Sequence, residues 1–105
     1  MNTFHETDIF SEWLEKLKDQ RGRARIFARL RSARNGNFGD CKPIGEGVSE
    51  MRIDFGPGYR VYYAQEGLNL YLLIVGGDKG SQERDIKQAK AMWREMKEKG
   101  YDQSS

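Results

Sequence analysis

The sequence predicts one α+β domain: two amphipathic helices, then a small antiparallel sheet, then a closing helix. Three observations carry this. Apolar residues recur at helical spacing from Ile9 to Ala33. After residue 41 they gather in short β-branched and aromatic runs separated by glycine. After Ser81 the helical spacing returns. A chain of 105 residues suits a single core, so residues 1–105 are read as one domain, with an ordered core of about 3–98.

The elements follow in order. Residues 1–6 read as a short edge strand. Thr7 or Asp8 supplies a helix N-cap, and Ile9, Phe10, Trp13, Leu14 and Leu17 give the first helix, 8–19, its apolar stripe. Gln20-Arg21-Gly22 marks a break. A second helix, about 22–35, turns Ile26, Phe27, Leu30 and Ala33 inward and ends at Asn35-Gly36-Asn37, residues that tolerate a left-handed C-cap. Two helices so closely joined are expected to form an antiparallel hairpin. Lys42-Pro43-Ile44 leads into Gly45-Glu46-Gly47, a turn or wide loop. Val48 to Phe55 alternates as a strand, Gly56-Pro57-Gly58 turns the chain, and Tyr59 to Ala64 forms the next strand. Leu70 to Val75 is almost wholly apolar, as expected for a strand buried on both faces. Gly76-Gly77-Asp78-Lys79-Gly80 reads as a loop. Ser81 caps a last helix that buries Ile86, Ala89, Met92, Trp93 and Met96. Gly100 to Ser105 reads as a frayed polar tail. The result is a three-stranded meander with helices on one face.

Composition narrows the function. Mean hydropathy is −0.84 and charged residues make up 32%, yet two Trp, five Tyr and five Phe supply enough aromatic area for a compact core. No apolar run reaches the eighteen or so residues that a membrane-spanning helix needs. The N-terminus, with Asp8, Glu12 and Glu15, is unlike a signal or transit peptide. The lone Cys41 points to a reducing compartment, and the cytoplasm is the expected location. No metal-ligand spacing and no cofactor motif is present. The net charge of +2 is modest, but Arg21, Arg23, Arg25, Arg29, Arg31 and Arg34 share a segment without a single acidic residue. Guanidinium gives planar bidentate contacts to phosphate, so this segment favours a nucleic-acid partner over a merely solvated face.

Three strand positions can carry chemistry. Arg52 and Arg60 flank the Gly-Pro-Gly turn on neighbouring antiparallel strands, which sets two guanidinium groups side by side. They read equally as a phosphate clamp or as a salt-bridge network with Glu50. Lys79 stands where the third strand meets its glycine-rich loop, and Asp78 reads as a base, as the group that orients Lys79, or as a cap of the following helix. Gly76 to Gly80 lacks Walker spacing. Tyr59, Tyr62, Tyr63 and Tyr71 offer rings for unstacked bases, or belong to the core. His5 is the only histidine, so no histidine acid/base pair is expected.

Taken together, four ordered motifs resemble the RelE/ParE superfamily of type II toxin–antitoxin modules, in particular HigB-like killer proteins. They are Phe10…Trp13-Leu14…Leu17 with Arg25-Ile26…Arg29-Leu30; Gly45-Glu46-Gly47-Val48-Ser49-Glu50-Met51-Arg52; Gly56-Pro57-Gly58-Tyr59-Arg60-Val61-Tyr62; and Gly76-Gly77-Asp78-Lys79 with Gln82…Asp85-Ile86. The resemblance covers roughly residues 8–97. It implies a RelE-like fold, a two-helix hairpin on a small antiparallel sheet. It further implies a metal-independent mRNA interferase acting in the ribosomal A site, with the mRNA 2′-hydroxyl as nucleophile. Arg52, Arg60, Lys79 and Asp78 are then the candidate catalytic residues. Arg21, Arg23, Arg25 and Arg29, with Lys42 and Tyr62, are the candidate RNA- and phosphate-binding residues. The implied partners are a helix-turn-helix antitoxin of the HigA/Xre kind, the ribosome and mRNA.

One departure matters. Several RelE-type nucleases use a tyrosine or histidine near the end of the last strand, where this chain has Asp78-Lys79. A ParE-type poison of DNA gyrase, or an inactive homologue that only binds antitoxin, are the alternatives that this departure keeps open.

Overall fold

The computed structural model describes residues 1–99; the expected polar tail lies outside the described residues. Element order is β1 (Thr3–Glu6), α1 (Asp8–Lys16), α2 (Gln20–Arg34), β2 (Cys41–Gly45), β3 (Val48–Ile53), β4 (Tyr59–Gly67), β5 (Leu70–Asp78), a 3-10 turn (Lys79–Ser81) and α3 (Gln82–Glu98). The strands form one five-stranded sheet in the order β1-β5-β4-β3-β2. It is mixed: β2 to β5 make an antiparallel meander, and β1 pairs in parallel with β5.

The helix starts have polar causes. Thr7 accepts from the Phe10 amide at 3.0 Å and donates to the Ile74 carbonyl at 2.7 Å, so one side chain caps α1 and ties it to β5. Asp19 caps α2 through the Gly22 amide at 3.0 Å and accepts from the Tyr59 hydroxyl at 2.7 Å. With that cap in place, Gln20-Arg21-Gly22 is the first turn of α2 and not a break, and α1 stops at Lys16.

Several further expectations are corrected. The helices cover both faces of the sheet. Phe10, Leu14, Ile26, Leu30 and Ala33 of α1 and α2 pack on Met51, Ile53, Val61 and Leu73. Ala89 and Trp93 of α3 pack on Val48, Tyr62, Ala64, Leu72 and Ile74 on the opposite side. Alternation along β3 and β4 feeds both layers, and the apolar run of β5 serves the two together. Cys41–Gly45 is a strand, because the Gly45-Glu46-Gly47 turn folds it back on β3 in a hairpin. Phe27, expected inside, is 46% exposed: Ile26, Leu30 and Ala33 already supply the packed ridge, and Phe27 lies off its side.

Gly76 and Gly77 belong to β5 rather than to a loop. A Cβ on Gly76 would run into the Trp13 ring of α1, and one on Gly77 into the Asp85 carboxylate of α3. Two adjacent residues without side chains let helices approach the strand closely from both faces.

Candidate phosphate-binding hollow

The register of the sheet builds the site. Arg52 on β3 is paired with Arg60 on β4, and Arg60 with Gly77 on β5, so the two arginines stand on the α3 face with only a glycine beyond them. The adjacent row runs from Lys42 through Glu50 and Tyr62 to Val75. The β3–β4 connection, with Gly56 and Gly58 both at positive φ, curls over the end of the arginine row. Lys79 follows β5 at the same end. Arg52, Arg60 and Lys79 line an open hollow of about 470 Å³ together with Gly56-Pro57-Gly58, Asp40 and Asp54.

Each cation is held differently. Arg52 donates to Asp40 at 2.9 Å, and that bond raises its pKa above the ordinary arginine value. Arg60 donates to the carbonyls of Gly58 and Tyr59, both at 3.2 Å, and its Nε lies 3.8 Å from Glu50 Oε2. Lys79 is exposed and makes no ion pair among the described residues, which leaves its ammonium open to an incoming anion.

Glu50 is wholly buried beneath this row. Its Oε2 accepts from Gln82 Nε2 at 2.6 Å and from the Tyr62 hydroxyl at 3.4 Å, while Oε1 has no hydrogen-bond partner. Burial first, and the Glu50 charge second, push the Tyr62 hydroxyl well above the usual tyrosine range. Arg60 therefore belongs to the salt-bridge network expected with Glu50 and also lines the hollow.

Among the remaining candidates, Asp78 does not line the hollow. Its carboxylate accepts from the amides of Gly80 at 2.8 Å and Ser81 at 3.2 Å, capping the turn into α3. Tyr62 is fully buried and presents no ring to solvent. Tyr59 and Tyr63 are buried as well, so these three strand tyrosines pack the two cores instead of forming a stacking platform. Arg29 donates to the backbone carbonyls of Arg52, Phe38 and Asp40 and so serves to lace α2 to β3. Arg25 lies 4.6 Å from the Phe55 ring centroid. Arg21 and Lys42 are exposed and Arg23 is half-buried. None of these four lines the hollow.

Sequence reasoning gave Asp40, Asp54 and Gln82 no role in the site. Extending the β2–β3 hairpin by one pair brings Asp40 opposite Arg52, a signal available once β2 is seen as a strand. Gln82 had no local signal, since 32 residues separate it from Glu50. Among the described residues no three His, Cys, Asp or Glu side chains gather as metal ligands, and no helix is long and apolar enough to cross a membrane.

No protein-family model matches the chain. It is 48% identical over 90 residues to a Haemophilus influenzae protein described as "Uncharacterized protein", and the match covers 86% of this chain and 91% of that one. The chain belongs to that protein's family. The shared stretch is long enough to include most of the sheet.

Proposed function

We propose that this protein is the toxin of a type II toxin–antitoxin module, a HigB-like member of the RelE/ParE superfamily that acts as a ribosome-dependent mRNA interferase. The observation that carries the reading is the gathering of Arg52, Arg60 and Lys79 around one open hollow at the end of the sheet. A helical pair on one sheet face and a C-terminal helix on the other are compatible with a RelE-like domain.

In this reading the hollow receives the phosphate at the scissile bond. The mRNA 2′-oxygen attacks phosphorus as its proton passes to water, the bond to the 5′-oxygen breaks to leave a 2′,3′-cyclic phosphate, and negative charge grows on the phosphoryl oxygens and on the leaving oxygen, which takes a proton from water. Arg60, fixed by Glu50 and two carbonyls, and Arg52, turned by Asp40, sit where preorganised donors stabilise that charge without rearranging. The free Lys79 ammonium balances charge on the leaving oxygen. A helix-turn-helix antitoxin of the HigA/Xre kind would neutralise the toxin, the exposed α2 arginines Arg21 and Arg25 would contact ribosomal RNA, and the cytoplasm would be its location.

A ParE-type gyrase poison is the second reading. Two features favour it: no histidine or tyrosine lines the hollow, and both arginines already carry carboxylate partners.

Induction of the protein alone in a bacterial host, with cellular mRNA 5′ ends mapped, decides between them. Growth arrest with new cuts at codon positions, lost in Lys79→Ala, is the expected result. Arrest with intact mRNA and damaged DNA would move the protein to the gyrase-poison class. A fully toxic Lys79→Ala would remove lysine from the mechanism.

A further inference from the structure

Away from the hollow, a second basic surface is the flank of α3 that faces the β2–β3 turn. Lys87, Lys90, Arg94 and Lys97 follow one another at intervals of three, four and three residues and so share one helical face. Three of them gather around a single carboxylate. Glu46, at the tip of the turn, accepts from Arg94 at 2.7 and 3.2 Å. That bond first, with the nearby charges of Lys90 and Lys97, holds the Glu46 carboxyl below its ordinary range. Glu46 is the one non-glycine among the described residues at positive φ, 56°, a conformation that sets its carboxylate against α3. Lys97 extends over Trp93, 5.6 Å from the ring. Lys87, Lys90 and Lys42 make no ion pair among the described residues.

This flank leads out of the hollow. Gln82 at the start of α3 bonds Glu50, the strand partner of Glu50 on β2 is Lys42, and Arg52 lies two residues further along β3 in the hollow's wall. We propose that Lys87, Lys90, Arg94 and Lys97, with Lys42 at the near end, form a phosphate track that carries the single-stranded RNA on its way out of the hollow. The inference rests on the reading of the hollow as an RNA site.

Length and chemistry favour that occupant. From Lys87 to Lys97 the helix rises about 15 Å, enough for roughly four phosphates at the spacing of a stacked strand. A membrane surface or a protein groove calls for apolar anchors beside the charges. Among the described residues the exposed large hydrophobic ones are Met1, Ile9, Phe27 and Leu68, and none of these lies on α3.

The test is fluorescence anisotropy of a labelled oligouridylate of about twelve nucleotides on the full chain across a salt series. The comparison is Lys87→Gln/Lys90→Gln/Lys97→Gln, with Lys79→Ala alongside; glutamine keeps helix propensity, and an unchanged melting temperature verifies the fold. The triple variant should bind about tenfold more weakly near 0.1 M salt, with a slope of log affinity against log salt shallower by about 2, at 0.7 for each of three lost contacts. Wild-type affinity and slope in the triple variant would overturn the track and leave the hollow's reading standing. Absence of RNA binding by the wild-type protein would overturn both. Polyglutamate or anionic vesicles bound as tightly as the RNA would overturn the assignment to RNA.

Discussion

Arg60 and Glu50 form an ion pair almost entirely out of water, 3.8 Å apart, with side chains 12% and 0% exposed. Glu50 is also the acceptor for Gln82 and Tyr62, so three elements meet on one carboxylate. Removing one member of such a buried pair leaves the other charge desolvated and unpaired. Glu50→Ala should therefore cost about 3 kcal/mol or more of unfolding free energy, measured by urea denaturation. Arg60→Ala should also destabilise, so any loss of toxicity in that variant has to be set against its melting temperature. A Glu50→Ala protein as stable as wild type would remove the pair from the account of the fold.

Lys79 behaves as the opposite case. It is exposed and unpaired, so Lys79→Ala should change stability by no more than about 0.5 kcal/mol while abolishing growth arrest. Parallel melting curves and growth assays separate binding from folding at this position.

Arg29 is an arginine spent on backbone. Its bonds to the carbonyls of Arg52, Phe38 and Asp40 hold the segment that carries Asp40 against β3. Arg29→Ala should lose about 2 kcal/mol, and Arg29→Lys should not restore it, because an ammonium cannot span three carbonyls as the planar fork does. Arg21→Ala, on the exposed side of α2, should leave the melting temperature unchanged.

Asp19 and Tyr59 give the fold a pH signature. The Tyr59 hydroxyl first, then the Gly22 amide, lower the Asp19 carboxyl from its ordinary value. Burial first, then the bond to Asp19, raise the Tyr59 hydroxyl to about 12. A lowered carboxyl contributes stability that is present above its unfolded pKa and lost as pH falls through the folded one. A raised phenol contributes stability that is complete below its unfolded pKa near 10 and lost as pH climbs toward about 12. Tyr59→Phe should cost about 1 kcal/mol at neutral pH and flatten the alkaline limb between pH 10 and 12. An alkaline limb unchanged in Tyr59→Phe would show that another group controls it.

Gly77→Ala should destabilise by about 1–3 kcal/mol, since the new methyl group meets the Asp85 carboxylate that Ser81 already holds at 2.5 Å. Gly76→Ala should do the same against Trp13. Chemical denaturation of the two single variants checks both helix contacts independently.

Local chemistry in the sequence determined a good deal: an N-cap of α1 at Thr7 or Asp8, the inward Ile26, Leu30 and Ala33, and the β3–β4 pairing across Gly56-Pro57-Gly58. The last of these placed Arg52 beside Arg60, because a short turn fixes which residues stand opposite one another. Only the tertiary structure decided which sheet face each helix covers. The apolar run of β5 accepts helices on either side and so does not choose; the close approach of Trp13 to Gly76 and of Asp85 to Gly77 exists only once α1 and α3 have packed. The same holds for the candidate site residues. Whether an arginine is exposed, as Arg21 is, or committed to backbone, as Arg29 is, depends on carbonyls brought near it from β3 and the preceding loop. Periodicity is written in neighbouring residues, but a buried partner such as Gln82 for Glu50 comes from across the chain and exists only once the sheet and α3 have packed.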